Sequence, residues 1–166
     1  MDRATDLDAF NALPEATARE RLADCLDVPR WVDTVLEGRP YADRAALMKV
    51  AEVAAGTMTD EELESALDHH PRIGERGAGG HDEEHSSREQ AGVDPADRDV
   101  ARRLALGNAA YEERFDRVFL IRASGRTGPQ ILAELDRRLG NDAAAERAET
   151  VSELREIALL RLEQVL

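Results

Sequence analysis

Apolar residues recur at helical spacing through nearly every stretch of this chain, and capping or stop residues break the pattern into pieces. Ala18, Leu22, Cys25 and Leu26 follow Pro14 on one helical face, with the proline suited to a first turn. "PRWVDTVLEG" is a shorter helix stopped by Gly38, and the run from Tyr41 carries Leu47, Val50, Ala51 and Ala54 on one side of a longer one. Thr59 with Glu62, and Thr127 with Gln130, have the spacing of reciprocal capping boxes. Asp94 followed by Pro95 opens a helix to about Arg117, whose stripe is Ala101, Leu104, Asn108, Tyr111 and Phe115. Gly140 stops the Thr127 helix, and Asn141 caps a last one that runs to near the C-terminus.

One apolar run does not fit. "VFLIRASGRT" is too short for a helix and ends at Gly125, so it reads as extended. The expectation is an all-α, single compact domain over residues 1–166 with about seven helices, no repeats and no sheet.

A chain of 166 residues is long enough to bury such a core without staples. Its formal charge of −13 and the lack of any basic stripe exclude a phosphate backbone as partner, so no nucleic acid is expected. There is no apolar run long enough to span a membrane, and the first residues lack the regions of a signal peptide. One cysteine, Cys25, sits beside Leu22 and Leu26 and reads as a small core residue. The expected location is cytoplasmic, with no membrane partner.

All four histidines fall between His69 and His85, around the glycine-rich stretch "ERGAGGHDEEHSS". Leu63, Ala66, Leu67 and His70 share a helical face, so His70 is expected on the buried stripe. Pro71 should end the helix there. An inward imidazole at that point is either a satisfied core residue or an acid/base.

Ser86 and Glu89 also have capping-box spacing, which alone accounts for both; Gln90 adds a donor and acceptor that a cap does not need. Arg161 lies on the stripe of Val151, Leu154, Ala158 and Val165, so its guanidinium must reach water, a carboxylate or a bound anion. Asn108, between Leu104 and Tyr111, needs a specific hydrogen bond, with the "FLIRASG" backbone as the expected partner. His81 and His85 are spaced as two zinc ligands can be on a helix, yet Asp82 stands where the metalloprotease signature has Glu. Two other readings therefore stand beside an acid/base site: a zinc-dependent hydrolase using His81 and His85, and a non-catalytic acidic helical interaction module.

Taken in order, "HPRIGE", "SSREQAGV", "NAAYEERF", "FLIRASGRT", "ILAELDRRL" and "IALLRLEQVL" resemble the 2-oxo-4-hydroxy-4-carboxy-5-ureidoimidazoline (OHCU) decarboxylases of urate degradation, from about Phe10 to the C-terminus. The resemblance implies a helical fold, no metal or organic cofactor, a homodimer, and stereospecific formation of (S)-allantoin from a small-molecule substrate. It implies His70 and Glu89 as the catalytic pair. It further implies substrate contacts from Pro71, Ser86, Gln90 and Arg161, and from the backbone of Phe119, Leu120, Ile121, Arg122 and Ala123. His69, His81 and His85 match nothing functional in it.

Overall fold

A computed structural model of the chain describes residues 3–73 and 98–166. Eight helices are described: α1 (Arg3–Ala12), α2 (Glu15–Cys25), α3 (Pro29–Glu37), α4 (Arg44–Ala55), α5 (Asp60–Leu67), α6 (Arg98–Phe115), α7 (Gly128–Leu139) and α8 (Ala143–Val165). The fold is all-α, with no strand among the described residues. None of these helices is long and apolar enough to cross a membrane. The glycine-rich stretch and the helix start at Asp94 lie outside the described residues.

Local chemistry sets the boundaries. At Thr127 both halves of the capping box form: the hydroxyl accepts the Gln130 amide at 3.3 Å, and the Gln130 side chain accepts the Thr127 amide at 2.8 Å. At Thr59 the hydroxyl accepts the Glu62 amide at 3.2 Å and the Glu62 carboxylate bonds back to the Thr59 backbone, while also accepting from Arg30 at 2.8 and 2.9 Å. α4 starts after Asp43, whose carboxylate accepts the Ala46 amide, so the run from Tyr41 becomes helical only at Arg44. Pro14 is the residue before α2, extended at φ −52° and ψ 143°, instead of lying in the first turn.

α8 is capped by Asp142 and not by Asn141. The Asp142 carboxylate accepts the Ala145 amide at 2.8 Å, while the Asn141 amide group donates to Glu146 and Glu149 at 3.0 Å each. α1 had no sequence signal of its own, because only Leu7 and Phe10 of its described side chains are buried.

The chain divides into two compact units. The first joins Met1–Ala66 to Arg155–Leu166. Within it Leu22, Trp31, Val35, Leu47, Ala51 and Leu63 are fully buried, and the Trp31 indole donates to the Ala51 carbonyl at 2.9 Å. Cys25 is buried there as expected; desolvation pushes its thiol up to about 12, so it stays protonated and inert.

The second unit is Leu67–Leu154. Its core gathers Ile73, Val100, Leu104, Tyr111, Phe119, Ile121, Ala123, Ile131, Leu132 and Leu135. Burial of each large apolar side chain contributes about 1.5–3 kcal/mol. α6 and α7 approach closely at Gly107, where a Cβ would stand 2.4 Å from Leu135 Cδ2. The α6 stripe begins at Val100, since Ala101 is exposed among the described residues.

Arg137 on α7 bonds Glu149 of α8 at 2.7 and 2.8 Å and Glu134 at 2.8 Å. The Arg137 guanidinium, helped by the Asn141 amide, holds the Glu149 carboxyl down to about 2 from 4.5. A carboxyl lowered by folding contributes stability that is complete above its unfolded value and lost as pH falls through its folded one. Thermal melts between about pH 5 and pH 2 should therefore show a fall in Tm that is shallower in Glu149→Gln; equal slopes would remove this pair from the acid transition.

Candidate active site

His70 stands just past the end of α5. The helix closes at Leu67, one turn earlier than the apolar spacing implies, and the His70 amide donates to the Leu67 carbonyl at 3.0 Å. Leu63, Ala66 and Leu67 are buried, while His70 is half-buried and His69 exposed. The early stop thus lifts His70 partly off the buried stripe, leaving its ring within reach of solvent-borne solutes. Pro71, also half-buried, follows outside any regular element.

The next two residues fasten this exit to α6. Ile73 enters the core, and its carbonyl accepts the Asn108 amide group at 3.2 Å. Asn108 therefore serves the segment after His70 instead of the "FLIRASG" backbone. Arg72 adds a forked ion pair with Glu112, at 2.5 and 3.1 Å. A cavity of about 260 Å³ opens beside these groups, lined by Arg72, Ile73, Asn108 and Glu112 with the alanines of α6, and the buried Asn108 Oδ1 has no hydrogen-bond partner among the described residues.

The extended run is a strap of residues 117–127 between α6 and α7. Gly125 takes φ 78° at its turn, a conformation that side-chain-bearing residues rarely adopt. Phe119, Leu120, Ile121 and Ala123 are buried and Arg122 half-buried. With no neighbouring strand among the described residues, several backbone groups of the strap are met by side chains. Arg138 donates to the Leu120 carbonyl at 2.6 Å, Glu153 accepts the Arg122 amide at 2.9 Å, and Arg126 donates to the Arg122 carbonyl at 3.0 Å.

Behind the strap lies a buried polar network. Arg138, Glu146, Thr150 and Tyr111 are all at most 1% exposed. Arg138 bonds the Glu146 carboxylate through Nε, at 2.8 Å, and through Nη2, and its guanidinium lies 4.7 Å from the Phe119 ring centroid. Tyr111 donates to Glu146 at 2.5 Å; desolvation and then this bond push its hydroxyl up to about 12. The sequence reading does not single out Arg138 or Glu146, although Ile131, Leu135 and Arg138 put a charge on an apolar stripe by the same spacing that marks Arg161.

Arg161 is buried at 2% exposure on α8, within the first unit, and donates to the Asp24 carbonyl at 3.4 Å. Ser86, Glu89, Gln90, His81 and His85 lie outside the described residues. Among the described residues no group of three or more His, Cys, Asp or Glu is placed to hold a metal ion.

Residues 11–163 match the sequence model of a family described as OHCU decarboxylase. A 2-oxo-4-hydroxy-4-carboxy-5-ureidoimidazoline decarboxylase of Amia calva is 39% identical over 77 residues, 46% of this chain and 44% of that protein. The uric acid degradation bifunctional protein of Bacillus sp. (strain TB-90) is 25% identical over 136 residues, 81% of this chain and 27% of that one. The chain thus spans less than half the length of either relative. Among solved structures, an OHCU decarboxylase crystallised in the presence of (S)-allantoin superposes with TM-score 0.69 at 22% identity, covering 86% of this chain and 94% of its own. An (S)-allantoin synthase superposes with TM-score 0.71 at 13% identity, covering 96% and 54%. Both are likenesses of fold.

Proposed function

Because the chain belongs to the OHCU decarboxylase family, we propose that it converts OHCU to (S)-allantoin, with His70 as general acid and base and Glu89 as its orienting carboxylate. The observation that carries this reading is the family match over residues 11–163, which takes in both the His70–Pro71 exit and the strap.

The substrate bears a hydroxyl and a carboxylate on one ring carbon, next to a C=N bond. When the carboxylate leaves as CO2, the bonding pair it gives up moves toward the neighbouring carbon and the imine nitrogen takes a proton. The chemistry thus carries its own electron sink. His70 takes the hydroxyl proton as the carbonyl forms, and a proton is delivered to the neighbouring carbon from one face only, which sets the product's hand.

Glu89 holds the imidazole in one tautomer and stabilises its cation. Ser86, Gln90 and Arg161 bind the carboxylate, ureido and ring carbonyl groups, while Pro71 and the 119–123 backbone supply further substrate contacts. The half-burial of His70, and the fastening of the residues after it by Ile73, Asn108 and Arg72, support this role: the ring is held in place yet open to a solute. A homodimer in a reducing, cytoplasmic compartment, acting on this small molecule without a cofactor, completes the proposal.

The test is circular dichroism of the allantoin produced when urate oxidase and hydroxyisourate hydrolase generate OHCU in situ. Rapid dextrorotatory or laevorotatory product of a single hand, assigned as (S) against a standard, is the expected result. Slow racemic product at the spontaneous rate, unchanged by adding the protein, would overturn the activity.

A further inference from the structure

We infer that Glu153 is a positioning residue for this reaction, fixing the strap so that its 119–123 backbone meets the substrate at one height and angle. The inference rests on the decarboxylase reading for its consequence, and on the contacts of the strap for its geometry.

An extended segment packed on a core must find partners for its peptide groups, and a neighbouring strand usually supplies them. Here α8 does part of that work with one face. Glu146, Thr150 and Glu153 follow at i, i+4 and i+7. Glu146 acts indirectly, by orienting Arg138 toward the Leu120 carbonyl. Glu153 acts directly, accepting the Arg122 amide at 2.9 Å. Arg126 closes the arrangement, with its Nε on the Arg122 carbonyl at 3.0 Å and its Nη2 3.9 Å from Glu153.

The two ties differ in kind. Arg138 and Glu146 belong to the core, and removing either disturbs folding. Glu153 is 15% exposed at the side chain, so it can be changed with the core intact. Its bond to Arg122 is charge-assisted and stronger than one between neutral groups. It restrains the peptide next to the Ile121 carbonyl, in the middle of the segment proposed to touch substrate. A shift of about 1 Å in such a contact can cost two orders of magnitude in turnover or affinity.

The experiment compares the full-length chain with Glu153→Ala and Glu153→Gln in the in situ assay, alongside amide exchange by mass spectrometry. Glu153→Ala should raise KM about tenfold, the worth of one lost hydrogen bond to a charged group, with kcat within about threefold. Glu153→Gln keeps an acceptor oxygen and should bring KM back to within about threefold of the parent. Exchange in Glu153→Ala should quicken in the peptide covering 119–123 and not elsewhere.

Parental KM in Glu153→Ala would overturn the inference, as would equal losses in the two variants or quickened exchange across the whole chain. If the parent protein itself yields only racemic product, the decarboxylase reading falls. The exchange comparison then decides on its own whether Glu153 holds the strap.

Discussion

Replacing His70 with alanine is expected to slow (S)-allantoin formation by about 10²–10⁴, the range contributed by a positioned acid or base. The enol left by CO2 loss cannot become a carbonyl until its hydroxyl proton has somewhere to go, and the neighbouring carbon cannot gain a hand until a proton arrives from one side. Alanine removes the group proposed for both. The fold should persist, because the ring is half-buried in the turn after α5 and the segment is fastened by Ile73, Asn108 and Arg72. His70→Gln keeps hydrogen-bonding capacity without acid/base chemistry, so it should lose nearly as much. Initial rates read by circular dichroism, with thermal melts beside them, check this; a parental rate in either variant would take His70 out of the mechanism.

The largest expected loss of stability comes from Glu146→Leu, about 3–5 kcal/mol, as is usual when one partner of a buried ion pair is removed. Arg138 cannot shed its proton, so the variant leaves a guanidinium in the core held by the Leu120 carbonyl and Thr150, with the Glu149 carboxylate 3.9 Å away as its remaining ion-pair partner among the groups that hold it now. Tyr111 loses its acceptor as well. Adding Arg138→Met should restore much of the stability, since two apolar chains replace two desolvated charges. Urea unfolding of the single and double variants measures both effects. A double variant no more stable than the single one would mean that the remaining bonds of Arg138 hold the core by themselves.

The parts of the fold legible in the sequence are those fixed by neighbours along the chain. The Thr127 cap, the Gly140 stop and the strap each depend on a few adjacent residues, and each forms as their spacing implies. What needed three dimensions was missed. Asn108 was matched to the wrong backbone because its true partner, Ile73, is 35 residues away and in no regular element. α8 is capped one residue later than expected because Asn141 is drawn off by Glu146 and Glu149. His70 was legible as the end of a helix, through Pro71, but its exposure follows from the earlier close at Leu67. For the rest of the proposed site, sequence and family resemblance speak for Ser86, Glu89 and Gln90.

The strap has a consequence for how the protein can change over generations. A strand inside a sheet answers to a whole neighbouring backbone, whose hydrogen bonds are the same whatever residues it carries. The 119–123 segment instead has ties that each depend on the identity of a single side chain, Arg138 for one peptide group and Glu153 for another. At the Glu153 tie, which lies outside the core, its alignment can therefore be retuned by one codon, without rebuilding a helix or shifting a register.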